Sequence, residues 1–122
     1  AHQRVAEHRP RDVFVVDEPA PEAGPVAVEI AYRIRPDDAD AFLDALGQLR
    51  APRRRDGATF WRAYRDLADP TRYVERFIVT SWADYLHQRA RATVADQELE
   101  ARVRAFVPEG EVVTMQHYIA ER

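Results

Sequence analysis

The chain of 122 residues contains no cysteine, which excludes disulfides, thiolate metal sites and a thiol nucleophile together. It contains no lysine either, so all 18 of its basic residues are arginine. That bias fits GC-rich coding, and it also favours bidentate pairing with carboxylates, which a planar guanidinium makes better than an ammonium does. Long apolar runs are missing. The stretch Val13 to Val16 falls far short of the ~20 residues needed to span a bilayer, and no signal-peptide pattern opens the chain, so the sequence as given reads as soluble and cytoplasmic. A basic excess is missing too. The formal net charge of −3 argues against nucleic-acid binding, which calls for cations gathered on one face. There is no GxGxxG, no Walker loop and no nucleophile elbow. No His-x-x-x-His or carboxylate set has ligand spacing, and His2 and His8 fall in a terminal stretch read as a tail. Nucleotide binding, triad hydrolysis and metal catalysis therefore lack a signal, and neither cofactor nor metal is expected.

What is present is a run of alternating strands. From Arg53 to Trp82 the sequence RRRDGATFWRAYRDLADPTRYVERFIVTSW reads as one β-hairpin that interleaves aromatics with arginines. Asp56-Gly57 opens it, and Asp66 to Pro70 supplies the Asp and Pro chemistry of a turn. Residues 58–66 place Phe60 and Tyr64 on one face, Trp61 and Arg65 on the other. Residues 72–82 carry apolar groups on both faces, which predicts a sheet covered on both sides. Upstream, residues 26–34, VAVEIAYRI, alternate with one fully apolar face. Pro36, Asp37 and Asp38 start a helix with a stripe of Ala39, Phe42, Leu43, Leu46 and Leu49. This helix is expected to run into Arg53, Arg54 and Arg55, a solvated, dipole-favoured end that could alternatively touch anionic lipid or phosphate. Ser81 with Asp84, then Thr93 with Asp96, open two further helices. Pro108 and Gly110 stop the second, and residues 111–119 form a last strand.

Strand, helix, strand, strand, helix pair, strand is the split βαβ order of an α+β, ferredoxin-like fold: a four-stranded antiparallel sheet with helices on one face. The other face would expose a large apolar patch, which soluble monomers rarely tolerate. Pairing two sheets face to face across a two-fold axis buries that patch and leaves room for a cavity. A homodimer is expected. Residues 1–25, with DEPAPEAGP at 17–25, read as an N-terminal linker or extension, and RDVFVV at 11–16 as a short β-prone piece able to join a sheet edge or cover the dimer. Residues 26–122 form the single domain.

The segment VEIAYRI, the run RRRDGATFWRAYRDLADPTRYVERFIVTSWADYL and the following RATVAD resemble the C-terminal soluble domain of the transmembrane secretion effector family, a branch of the major facilitator superfamily of bacterial exporters. The resemblance covers roughly residues 26–120. That domain is similar to the antibiotic biosynthesis monooxygenase group of dimeric α+β barrels, which implies the same fold. It also implies attachment to a membrane transporter through residues 1–25, at the cytoplasmic face of the membrane. One departure stands out: Arg89 occupies the position, seven after Trp82, where relatives often carry His.

The candidate ligand-binding residues are Trp61, Tyr64, Arg62, Arg65, Trp82 and His117, with Tyr118 beside them, taken as the lining of an inter-sheet cavity for a small aromatic molecule. Each has a plainer explanation. A strand aromatic is more often core, and Arg33, Arg62, Arg65 and Arg76 pair more readily with Glu29, Asp66 or Glu75 across strands than with a bound anion. His117 and His87 could act as bases near neutral pH, although a lone histidine is usually a polar filler, and no residue is assigned a catalytic role. Two functions follow. One is a non-catalytic accessory or dimerisation domain of an exporter that senses an aromatic cargo; the other is a cofactor-independent monooxygenase acting on an aromatic natural product.

Overall fold

A computed structural model describes residues 15–122. Arg11 to Phe14, His2 and His8 lie outside the described residues. The alternation in VAVEIAYR makes β1 (Val26–Arg33), which sends Val26, Val28, Ile30 and Tyr32 into the core. β2 (Phe60–Arg65) and β3 (Arg72–Val79) form the hairpin, and β4 (Thr114–Ile119) closes the chain. All pairings are antiparallel, in the order β2-β3-β1-β4. This is the ferredoxin-like arrangement that the element order implies. The last strand begins later than expected, at Thr114.

The first helical region differs from the single helix that its apolar stripe predicts. A 3-10 turn at Pro36–Asp38 leads into α1 (Ala39–Gly47), and a separate α2 (Arg50–Arg55) follows. Pro52 accounts for the break, because it has no N–H to offer the Gln48 carbonyl and its ring crowds that carbonyl. α3 (Trp82–Arg91) and α4 (Val94–Arg104) begin where the capping patterns place them. Ser81 Oγ accepts from Asp84 N at 3.1 Å, and Thr93 and Asp96 form a reciprocal capping box. Phe42 centres the core. Its ring lies 5.3 Å from Tyr32, 5.5 Å from Tyr73 and 6.3 Å from Phe106, with Leu46, Leu49 and Val103 fully enclosed around it.

Helices cover one face of the sheet. The other carries Ala27, Glu29 and Ala31 of β1, Val74, Arg76 and Ile78 of β3, and Phe60, Arg62 and Tyr64 of β2, as the cross-strand register dictates. Its centre is polar: Arg76 pairs with Glu29 directly across the strands, and its guanidinium lies 5.4 Å from the Tyr64 ring centre.

Residues 15–25 contain no helix or strand, yet they form a strap that is tied down. The Trp82 and Ala83 amides donate to the Ala23 and Pro21 carbonyls, both at 2.8 Å, and Ala120 N donates to Pro25 O at 2.9 Å. The strap passes so close to the β3–α3 junction that a Cβ on Gly24 would collide with the Thr80 carbonyl oxygen. Trp82 is the anchor here. It is 4% exposed, stacks on Tyr85 with ring centres 5.2 Å apart, and its indole N–H donates to Glu18 Oε1 at 3.0 Å. Trp82→Ala removes core packing and the strap's side-chain tie together, and should cost ~3–5 kcal/mol in a urea melt. A loss below about 1 kcal/mol would show that the ring is not part of the core.

Candidate functional site

Alternation along β3 puts a carboxylate in the core. Tyr73, Glu75, Phe77 and Val79 all face the helices, and Glu75 is 0% exposed. Its cross-strand neighbour on β2 is Ala63, whose small side chain leaves space for donors. Arg53 supplies two hydrogen bonds, Nε to Oε2 at 2.9 Å and Nη2 to Oε1 at 3.4 Å. The Trp61 indole donates to Oε2 at 2.9 Å, and the Tyr32 hydroxyl stands 3.5 Å from Oε1. Burial works against the charge on Arg53, but Glu75 outweighs it and holds the guanidinium above its ordinary pKa. Burial first, and then the Glu75 charge, push the Tyr32 phenol well up. Arg53 also lies 4.9 Å over the Phe77 ring and 3.7 Å from Glu100 of α4. Of the three arginines read as a solvated helix end, only Arg54 fits that description wholly. Arg53 turns inward, and Arg55 bridges Asp56 at 2.9 Å and Asp96 at 2.7 Å.

Beside this cluster, between the sheet and α2–α4, lies a cavity of about 120 Å³. Its floor is Val28, Ile30, Phe77 and Met115, and Arg53, Tyr85, Gln88 and Arg89 rise around it. A second cavity of about 230 Å³ lies under the strap, lined by Val15, Val16, Asp17, Pro19, Trp82 and His117 among others. Tyr85 and His117 stand between the two. The Tyr85 hydroxyl is 2.7 Å from His117 Nε2, and Arg89 Nη1 donates to the same hydroxyl at 3.4 Å. Burial, and after it the Arg89 charge, hold the His117 imidazole below its usual pKa and favour its neutral form. Among the described residues, His117 Nδ1 is buried without a hydrogen-bond partner, an arrangement that costs about 1–3 kcal/mol.

The six candidates do not line one inter-sheet cavity. Tyr64 and Arg62 lie on the open face, while Trp61, Arg65 and His117 fall on the helix-facing side of the register. Strand parity separates them, because neighbours along β2 point to opposite faces. Trp61 is committed to Glu75, and Trp82 with His117 belongs to the cavity under the strap. Arg62 and Arg65 have no ion-pair partner among the described residues, whereas Arg33 pairs with Asp69 at 2.6 Å. His87 is exposed on α3, and Tyr118 is 48% exposed. Glu75 and Arg53 were the residues that sequence reasoning missed as a centre. The signal was a carboxylate at an inward position between Tyr73 and Phe77. Among the described residues, no group of three or more His, Asp or Glu is placed to hold a metal ion. No helix there is long and apolar enough to cross a membrane.

A family model described as transmembrane secretion effector matches residues 3–122, further toward the N-terminus than the motifs alone reach. No protein of curated function matches the chain by sequence. Among solved structures, SnoaB, a cofactor-independent oxygenase from Streptomyces nogalater, is similar with a TM-score of 0.66 and 15% identity, over 82% of this chain and 96% of that one. An antibiotic biosynthesis monooxygenase is similar at 0.64 and 18%, over 80% and 99%. A conserved protein from Methanosarcina mazei is similar at 0.67 and 13%, over 82% and 96%. At these identities the likeness shows the fold alone: a small α+β domain of the antibiotic biosynthesis monooxygenase type.

Glu75→Ala strips the largely buried Arg53 guanidinium of its two hydrogen bonds to the carboxylate and leaves it only Glu100 at 3.7 Å, which should cost ~3–5 kcal/mol in denaturant melts. Replacing both residues, Glu75→Leu with Arg53→Met, should recover most of that loss. A second test concerns pH. Because the folded pKa of His117 lies below its unfolded value, the unfolded chain binds more protons over the interval between the two. The His117 contribution is then present in full above about pH 6.5 and is lost as pH falls toward the folded value. His117→Gln should flatten that part of the profile of melting temperature against pH.

Proposed function

The chain belongs to the transmembrane secretion effector family, and on that premise we propose that it is a non-catalytic accessory domain of a major facilitator superfamily exporter. In this reading it sits at the cytoplasmic face of the membrane, pairs with a second copy of itself, and senses a small aromatic cargo. The observation that supports the pairing is the face of the sheet that no described helix covers. Phe60, Tyr64, Val74 and Ile78 surround the Arg76–Glu29 pair there, and Arg62 stands directly opposite Arg76 without a partner of its own among the described residues. Two like charges facing each other across a ladder are unfavourable. A second copy turned by a two-fold axis covers the apolar groups and offers acceptors to Arg62.

A second reading, a cofactor-independent monooxygenase acting on an aromatic natural product, draws on the imidazole–phenol pair of His117 and Tyr85 beside a cavity. The accessory reading is favoured because the matching family model is described as a transmembrane secretion effector, while His117 Nε2 already faces the Tyr85 hydroxyl at 2.7 Å. A general base must reach the substrate's proton with a nitrogen lone pair.

The domain should scatter light as a dimer at micromolar concentration, with an interface above about 1,200 Å² in total. Tyr64→Arg adds a third cation beside Arg62 and Arg76 in each copy and should shift the protein to monomer with little change in far-UV dichroism. A wild-type monomer would overturn the pairing. In an oxygen electrode with anthrone-like and naphthol-like phenols the domain should consume no oxygen. Turnover that disappears in His117→Ala would establish the oxygenase reading instead.

A further inference from the structure

Alternation brings every second residue of each strand to the open face, and the cross-strand register sorts these residues into rows. The middle row, read from β2 to β4, is Arg62, Arg76, Glu29 and Gln116. One flanking row is Phe60, Ile78, Ala27 and Tyr118. In the other, Val74 and Ala31 occupy the two inner strands. The charges of the middle row are ordered: two cations, one anion and one neutral amide. Arg76 is held by Glu29, whereas Arg62 has no ion-pair partner among the described residues. Gln116 Oε1 accepts from the Tyr118 hydroxyl at 2.6 Å, which leaves that carbonyl oxygen a second lone pair.

That order decides how two copies can lay this face on itself. In a face-to-face pair the two-fold axis lies in the plane between the sheets, and its direction sets which residues meet. An axis running across the strands puts each residue of the middle row over its own copy, so Arg62 meets Arg62, Arg76 meets Arg76 and Glu29 meets Glu29. Like charges then face one another three times. An axis at about 45° to the strands gives the orthogonal kind of sheet packing and carries Arg62 over one of the flanking apolar rows, where it finds no acceptor. An axis along the strands, between β3 and β1, reverses the strand order instead. Arg76 then meets Glu29 of the second copy, and Arg62 meets Gln116 of the second copy. The flanking rows agree with this axis: Ile78 falls over Ala27 and Val74 over Ala31, large side chains on small ones, as close packing of two layers requires.

We infer that two copies of this chain pair about an axis parallel to β1 and β3, with Arg76 and Glu29 of both copies closing a ring of four alternating charges; this rests on the pairing reading above and fixes its geometry. Each carboxylate in the ring has a guanidinium beside it in its own chain and another across the interface. Burying such charges is tolerated only when they are paired and hydrogen-bonded, so the ring acts on register. Sliding one copy by a row sets all four charges against apolar side chains, and no other face-to-face arrangement pairs them. Arg62, on the outer strand, is satisfied by the free lone pair of Gln116 of the second copy.

The test uses the full 122-residue chain, whose lack of cysteine lets an introduced one report its own position alone. Single variants Ala27→Cys, Val74→Cys and Ile78→Cys on the central strands, and Arg62→Cys and Gln116→Cys on the outer ones, are each treated with a bis-maleimide that spans the ~10 Å between packed sheets. About the inferred axis a central position is offset from its own copy by one strand spacing, ~5 Å, and an outer position by three, ~14 Å. Covalent dimer is therefore expected from all three central variants and from neither outer one. Links from the outer variants, links from only some of the central ones, or no link from a protein that scatters light as a dimer would overturn the axis. A second measurement does not depend on cross-linking. Gln116→Glu sets a carboxylate against Arg62 of the second copy and should lower the dimer dissociation constant about tenfold, in line with a hydrogen bond to a charged group. About an axis across the strands the same change would set carboxylate against carboxylate, so an unchanged or weaker dimer would also overturn the inference. A wild-type monomer in light scattering would remove the pairing reading itself, whereas a dimer with the wrong links would remove only its geometry.

Discussion

The Glu75 carboxylate organises this domain. It sits on an inner strand of the sheet, fully enclosed, at a position where alternation calls for an apolar side chain. Removing a carboxylate from water costs several kcal/mol unless charge and hydrogen bonds replace the solvent. The replacements come from three other elements: Arg53 of α2, Trp61 of β2 and Tyr32 of β1. Arg53 in turn reaches Glu100 of α4. The position of α2, a helix of only six residues with no buried apolar side chain of its own, is thereby tied to the sheet by a charge. A short helix with little to bury has few other ways to be held.

The elements were legible in the sequence wherever one period dominated. VAVEIAYR alternates almost strictly, and β1 formed one residue shorter than the expected 26–34. The Ser81 and Thr93 caps placed both helix starts because a hydroxyl followed three residues on by an aspartate answers a local need for donors and acceptors, whatever the tertiary surroundings. The break at Gln48 was concealed because the apolar stripe continues through Leu49, so the pattern argued for one helix while Pro52 argued for two. Arg53 was concealed for a different reason. A basic helix end is usually solvated, and only the three-dimensional position of Glu75 turns it inward. The candidate site was legible as residue types and not as a place. Tyr64 and Trp61 are three apart on a strand, so they cannot share a face, and a list of aromatics does not by itself respect that parity.

Filling the interior with an ion pair affects what this fold can do. In a sheet-and-helix sandwich the space between the layers is the natural pocket. Here Arg53 and Glu75 stand at its side, and Trp61 donates its only hydrogen-bonding group to the carboxylate. What remains is about 120 Å³, less than the space under the strap. The family match and the fold likeness thus point to different aspects of one molecule. The family model carries the description transmembrane secretion effector, whereas the fold likeness describes only the scaffold on which this chain has placed its own side chains.

The open face of the sheet and the cavity under the strap lie at opposite sides of β1. The open face exposes Ala27 and Glu29, while Val26 and Val28, alternating with them, face the helices. Val26 also lines the cavity under the strap. Pro25, the residue before this strand, accepts from the Ala120 amide just beyond β4, so the strap and both terminal strands are joined at one corner of the sheet. A displacement of the strap must act on that corner, where β1 and β4 begin and end, before it can reach β3 and the Arg76–Glu29 pair. The open face and the strap are therefore connected through β1 and its ladder to β3. Coupling between them requires only that the corner hold two arrangements, each favoured by a different state of the strap.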